Sequence, residues 1–129
     1  MNDTAVELVF LDSWDGAELF YQESASNKNF AWLEPMVGFV EQLRTRGYDR
    51  IFRHGHALYF LVLSRSLEHG LRNNQPSITF RPNPDGGMTV YCELRGTRGV
   101  LWRVFSVPTV TLTPELDQLI QRLAREAID

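Results

Sequence analysis

The sequence predicts a single α+β domain over residues 1–129, with an antiparallel sheet of four to six strands packed by two helices. Three β-type runs separated by turn sequences lie at about 77–107, and apolar helical stripes occupy about 33–46 and 114–127. A chain of 129 residues, 43% hydrophobic and 22% charged, has the size and composition of one globular domain.

The first third of the chain contains two short β-leaning runs, residues 5–11 (AVELVFL) and 17–23 (AELFYQE). A turn-like DSWDG sequence separates them, so we predict a hairpin, although both runs also contain good helix formers. The polar residues 24–29 then connect this hairpin to the first predicted helix.

The helix at 33–46 is predicted from Met36, Phe39, Val40 and Leu43, which follow the i, i+3, i+4, i+7 spacing of one helical face. Pro35 suits the first helical turn because its missing N–H would be unpaired there. The C-terminal helix at 114–127 is predicted in the same way, with Thr113 as N-cap, Pro114 in the first turn, and an apolar stripe behind them.

The stretch 52–64 (FRHGHALYFLVLS) is ambiguous. As one strand, which we favour, it is apolar on both faces and predicted to be buried on both. As a helix, it would form a stripe with the residues that follow, at Phe60, Leu63, Leu67 and Leu71. Residues 65–75 are predicted to be a loop or a short helix.

The three runs SITFR, MTVYCELR and VLWRVFSV predict a meander over residues 77–107. If both turns close tightly, Arg81 lies opposite Thr89 and Leu94 opposite Val100. The resulting cross-strand rows would be Ile78–Cys92–Trp102 and Phe80–Val90–Val104 on the apolar face, and Thr79–Tyr91–Arg103 on the other.

Charge is distributed unevenly along the chain. Residues 1–41 hold eight acidic residues and one lysine, whereas residues 42–103 hold ten arginines and four acidic residues. No apolar run is long enough to cross a bilayer, the N-terminus lacks the basic start of a secretory signal, and the single cysteine forms no internal disulfide. These features predict a cytoplasmic protein that does not bind membranes.

Catalytic and metal sites are not predicted. His54 and His56 would share a strand face, as zinc ligands can, but no third ligand stands at a recognised spacing. Ser66 and His69 are close in sequence without a Gly-x-Ser-x-Gly elbow. We therefore predict a protein that is more plausibly non-enzymatic, with no metal and no cofactor.

For function, the first hypothesis is a protein-binding module of a small bacterial-type protein, such as an inhibitor or immunity-like antidote. Acidic residues and aromatic rings alternate in the N-terminal third, as in charge-rimmed interface hot spots, although the rings could equally be core residues. The predicted partner-binding residues are Asp12, Trp14, Asp15, Glu18 and Tyr21.

Two alternatives remain open at this stage. A small-ligand or phosphate-binding domain, possibly enzymatic, would use the histidine and arginine residues of 53–72: Arg53, His54, His56, Arg65 and His69. The arginine-rich middle could also contact nucleic acid, but this is the weaker alternative because the chain has a net charge of −3 and no RNA-binding signature.

Overall fold

The structure, a computed structural model, describes residues 2–68, 75–96 and 99–129. Four α-helices and five β-strands are present in these residues, with short 3₁₀ helices at Lys28–Leu33 and Tyr48–Arg50. The helices are α1 (Asp3–Ser13), α2 (Ala17–Ser26), α3 (Pro35–Thr45) and α4 (Pro114–Leu123). The strands are β1 (Arg53–Ala57), β2 (Phe60–Ser64), β3 (Ser77–Pro82), β4 (Met88–Gly96) and β5 (Gly99–Val107).

The five strands form one antiparallel sheet in the order β1-β2-β3-β4-β5, which confirms the α+β prediction. Side chains alternate between the two faces of the sheet. The helices pack on one face, where the ring centroid of Phe39 in α3 lies 5.0 Å from that of Phe80 in β3. Eight sheet residues on this face are at most 1% exposed: Leu61, Leu63, Ile78, Phe80, Met88, Val90, Cys92 and Leu94.

The predicted N-terminal hairpin is wrong, because residues 3–13 and 17–26 form α1 and α2. The Asn2 side chain caps α1 by accepting a hydrogen bond from the Ala5 N–H at 2.8 Å. The two helices bury one continuous stripe with spacings of four, three and four residues, namely Phe10, Trp14, Ala17 and Tyr21. This helical period outweighs the β-leaning composition of the two runs.

The stretch 52–64 is neither one strand nor a helix, but the two strands β1 and β2. Ala57 and Phe60 form the closing pair of this hairpin, and Leu58 and Tyr59 make the turn. Leu58 has a φ of +58°, a left-handed conformation that non-glycine residues rarely adopt. The turn was not predicted because it contains no glycine, asparagine or aspartate.

The predicted meander is confirmed, but only one of its two registers is. Arg81 lies opposite Thr89 as predicted. Leu94 lies opposite Leu101 rather than Val100, since the second hairpin closes between Gly96 and Gly99.

This shift of one residue reverses which face each β5 side chain occupies. Trp102 therefore pairs with Glu93 on the face away from the helices, where it is 61% exposed, and Cys92 pairs with Arg103. The predicted outer row Thr79–Tyr91–Arg103 ends instead in Val104.

Both predicted amphipathic helices are present, with α3 at Pro35–Thr45 and α4 at Pro114–Leu123. The Thr113 hydroxyl accepts the Leu116 N–H at 3.2 Å, as expected of an N-cap. Arg46 at the end of α3 forms an ion pair of 2.8 Å with Asp117 in α4, and the Tyr48 hydroxyl donates to the same carboxylate. The Arg46 guanidinium lowers the pKa of Asp117, so this carboxylate stays ionised and links the two helices.

Replacement of Leu58 by glycine is predicted to stabilise the domain. Leu58 is 78% exposed, so the substitution removes little packing while relieving a left-handed conformation that costs about 1 kcal/mol. We expect L58G to raise the free energy of unfolding by about that amount in urea titrations. The control L58A keeps the strained backbone and should not gain this stability; equal stability of the two variants would contradict the prediction.

Candidate functional site

The two central histidines lie on the core face of β1, opposite Leu63 and Leu61 of β2. His54 is 5% exposed, whereas His56 is exposed, and their ring centroids are 4.3 Å apart. The end of α1 fixes His54. Its backbone N–H donates to the Ser13 hydroxyl at 2.9 Å, and its ring Nδ1 lies 3.2 Å from the Ser13 carbonyl oxygen.

Burial lowers the pKa of His54 from 6.5 to about 4, and the neighbouring His56 lowers it further. The imidazole is therefore neutral at pH 7 and donates from Nδ1 to the Ser13 carbonyl. Its Nε2 is buried and has no hydrogen-bond partner among the described residues. Protonation of this nitrogen would place an unpaired charge in the core.

The arginines predicted to join the histidines are committed elsewhere. Arg53 donates from Nε to the Ser66 carbonyl at 2.8 Å and from Nη2 to the Leu67 carbonyl. Arg65 donates from Nη1 to the Ile51 carbonyl at 2.8 Å. These guanidiniums hold the backbone after β2 in place. His69 lies outside the described residues, and Arg53 and His54 of this set line one cleft together.

An open cleft of about 430 Å³ lies between α1 and β1, lined by Val9, Asp12, Ser13, Arg53 and His54. The Ser13 hydroxyl donates to the Phe10 carbonyl at 2.6 Å and does not face a ring nitrogen of His54, so the two do not form a nucleophile–base pair. The Asp12 carboxylate would repel a phosphate at this position. The cleft therefore contains no nucleophile–base pair formed by Ser13 and His54, and the charges of Arg53 and Asp12 on its lining oppose each other.

Of the predicted partner-binding residues, Trp14 and Tyr21 are fully buried core residues. The indole N–H of Trp14 donates to the Phe52 carbonyl and the Tyr21 hydroxyl donates to the Tyr59 carbonyl, each at 3.0 Å. The burial of Tyr21 raises the pKa of its hydroxyl. The two rings hold the β1–β2 hairpin against the helices and present no surface to a partner.

The acidic residues of the same set remain at the surface. Asp12 and Asp15 are exposed, whereas Glu18 is half-buried and pairs with Arg44 at 3.1 Å. Residues 1–27 contain six acidic residues and no cationic one. Five of these six carboxylates are exposed and form no ion pair within the described chain. We call them the acidic helix surface: Asp3, Glu7, Asp12, Asp15 and Glu23.

An aromatic surface at the β1–β2 turn was only partly indicated by the sequence. Phe20 and Trp32 belong to the aromatic residues of the N-terminal third, but the contribution of the turn was missed. Ring centroids of Phe20 and His56 are 4.2 Å apart, those of Phe30 and Tyr59 5.2 Å, and those of Trp32 and Tyr59 6.0 Å. The hairpin turn, α2 and the first 3₁₀ helix supply these rings, and all of them are partly or fully exposed. We call the group the hairpin-tip surface: Phe20, Phe30, Trp32, His56, Leu58 and Tyr59.

No three metal-ligating side chains gather within the part of the chain that the structure describes. Cys92 in β4 is buried, and burial raises the pKa of its thiol, which makes the thiolate scarcer.

None of the described helices combines the length and apolar character needed to span a bilayer. The Ser66 hydroxyl donates to the Glu68 carbonyl at 2.8 Å, which is the role of a turn residue.

No protein-family model, curated protein or solved structure matches this chain.

His54 is predicted to make stability pH-dependent. The unfolded chain takes up a proton on this residue below about pH 6.5, whereas the folded chain does so only near pH 4. Acidification through this window therefore favours unfolding, by up to about 3 kcal/mol at its lower end. Urea titrations between pH 4 and 7 measure this slope.

Two variants serve as controls for the pH slope. H54Q removes the titrating group and should flatten the dependence, even if its stability at pH 7 is lower. H56Q keeps His54 and should retain most of the slope. A slope that persists unchanged in H54Q would show that another group causes it.

Proposed function

We propose that this protein is a non-enzymatic protein-binding module, of the kind that an inhibitor or immunity-like antidote requires. The hairpin-tip surface anchors the partner, and the acidic helix surface attracts a basic region of it. This proposal keeps the prediction that the partner is a protein. The aromatic residues of this chain that contact it are no longer Trp14 and Tyr21 but those at the turn between β1 and β2.

The conformation of Leu58 carries this proposal. Leu58 is 78% exposed, so its side chain adds little burial to the stability of the free domain. Its left-handed backbone conformation also costs conformational free energy. Glycine or asparagine would make the same turn without these costs. An apolar side chain held in this way is explained if a partner buries it.

The rings beside Leu58 have the composition of a binding hot spot. Tryptophan and tyrosine are enriched at such sites because their large rings bury much area with little loss of side-chain freedom. Trp32 and Tyr59 lie edge to face, with an interplanar angle of 77°, and the Trp32 indole N–H donates to the Asn29 carbonyl at 3.2 Å. The rings are thus pre-organised, so binding would cost little additional side-chain entropy.

The acidic helix surface contributes in a different way. Its carboxylates are exposed, so solvent screens them and each contact adds little affinity. Together they create a negative field over α1 and the start of α2 that accelerates encounter with a basic partner. Leu8 in α1 and Leu19 in α2 are 56% and 53% exposed and add apolar area to these helices.

The anchor prediction is tested by substituting Leu58. A tagged chain is used to capture its partner from a lysate of the source organism, and the enriched protein is purified for surface plasmon resonance. L58G and L58A should each raise the dissociation rate at least tenfold, since both remove the apolar anchor. L58G should do so while stabilising the free domain, which separates binding from folding.

The matched control for Leu58 is I128A, because Ile128 is also exposed, at 41%. Its neighbour Asp129 hydrogen-bonds to the backbone of Arg65 and Leu67, beyond the end of β2 that is away from the turn. This variant should bind as the wild type does. Unchanged dissociation of L58G and L58A would remove the hairpin tip from the interface and overturn the proposal.

The acidic surface is tested separately through the association rate. The triple variant E7Q/D12N/D15N should associate several-fold more slowly at low salt, with a weaker salt dependence and a dissociation rate within about twofold of the wild type. The control E41Q/E68Q/E115Q changes the net charge equally at other exposed positions. Equal effects of the two triple variants would show that only the net charge matters.

A further inference from the structure

The two edges of the sheet differ in how they are covered. At one edge, the end of α1 lies against β1, and the Ser13 hydroxyl occupies the outward N–H of His54. At the other edge, β5 is a nine-residue strand whose one pairing partner among the described strands is β4. Its pairing runs without a bulge from Gly99 to Val107, so neither a bulge nor an early end of the strand blunts this edge.

The register identifies which backbone groups of β5 face outward. Gly96 and Gly99 close the β4–β5 hairpin, so hydrogen-bonded pairs recur at every second residue, including Arg103 and Phe105. The N–H and C=O groups of Trp102, Val104 and Ser106 therefore point away from β4. No other described residue forms a backbone hydrogen bond with them.

Two of the three side chains at these outward positions, Trp102 and Val104, are apolar, whereas an unpaired edge strand often carries charge. The charged residue of this part of β5, Arg103, lies on the other face of the strand, opposite Cys92. Trp102 is 61% exposed and Val104 is 47% exposed, both on the face of the sheet that the helices leave open. A tryptophan with more than half of its surface in water, next to unpaired main-chain groups, is the arrangement that strand addition would bury.

We propose that β5 is a self-association surface: a second copy of this chain adds its own β5 antiparallel to it, with the two Val104 residues paired at the two-fold axis. The two five-stranded sheets then become one sheet of ten strands. The outward groups of Trp102, Val104 and Ser106 supply about six main-chain hydrogen bonds between the copies.

The side chains that this register brings together are complementary, which favours it over the register centred on Arg103. Pairing centred on Val104 places Trp102 opposite Ser106 of the second copy, so a large side chain meets a small one. It also places Arg103 opposite Phe105 of the second copy. Arg103 already lies 4.8 Å from the ring centroid of Phe105 within one chain, so this guanidinium is compatible with that ring.

A shift of one residue would centre the pairing on Arg103 and set two guanidiniums directly opposite each other, which is destabilising. Pro108 follows the strand and would stand opposite Val100 of the second copy. Because proline has no N–H, it ends the intermolecular ladder at that point. The predicted interface is therefore short, and the register centred on Val104 is favoured over the one centred on Arg103.

An interface of one strand edge and two apolar side chains lies at the small end of specific interfaces, below about 1,200 Å² in total. We therefore expect a micromolar dimer. Sedimentation velocity from about 1 to 500 μM should show reversible conversion from monomer to dimer.

The decisive variant is V104P. Proline removes an outward N–H on an edge strand without removing a hydrogen bond to β4. It should weaken self-association at least tenfold, whereas V104A, which keeps the N–H, should weaken it less. V104K is a second variant in case V104P unfolds, since it sets two ammonium groups together at the two-fold axis and should keep the chain monomeric.

Three outcomes would overturn the proposal. The wild type could remain monomeric at 500 μM, or a dimer could form that V104P and V104K leave intact. A dimer that W102A disrupts but a folded V104P does not would show that the open sheet faces stack, not the strand edges. Loss of dimer in V104P and V104K, with α-helical circular dichroism unchanged, is the supporting result.

Discussion

The contact between the first two helices and the edge strand β1 is the constraint on which the other features depend. Trp14 and Tyr21 each donate a hydrogen bond to a carbonyl of residues 52–59, and Ser13 occupies the outward N–H of His54. These bonds satisfy main-chain groups that would otherwise be buried without partners, or exposed along a strand edge. The rings that donate these hydrogen bonds also fill the core. The same side chains therefore fix the position of the hairpin and supply buried apolar area.

This contact fixes what the rest of the surface can do. The end of α1 covers the β1 edge of the sheet, whereas no described residue forms a backbone hydrogen bond with the outward groups of β5. Because Tyr21 holds the Tyr59 carbonyl, the β1–β2 turn is kept in a conformation that projects Leu58 into solvent. The same packing buries His54, whose Nε2 has no hydrogen-bond partner in the part of the chain that the structure describes. The first histidine of the pair is therefore a structural residue, and protonating it has an energetic cost.

The sequence predicted those parts in which local signals and packing agree. The apolar periods of α3 and α4 and the Arg81–Thr89 register were found because caps, prolines and turn residues marked their limits. The N-terminal helices were missed because their valine and phenylalanine content suggested strands, and the buried stripe crosses a helix break at Gly16. The hairpin-tip surface was foreseen only in part, through the aromatic residues of the N-terminal third, since it depends on a turn that lacks the usual residues and on rings from distant segments. Because the predicted register of the β4–β5 hairpin was wrong by one residue, Trp102 was expected on the apolar face and its exposure was not predicted.

The two proposed surfaces lie at opposite edges of the sheet, and this placement links them. The hairpin tip belongs to β1 and β2, whereas self-association uses β5. In a ten-stranded sheet joined at β5, the two tips would lie near its outer ends, roughly 40 Å apart at about 4.8 Å per strand. Two partner sites at that separation do not obstruct each other and could engage one dimeric or repetitive partner at once. Even a micromolar dimer would then raise the apparent affinity through effective concentration, without any new contact at the tip.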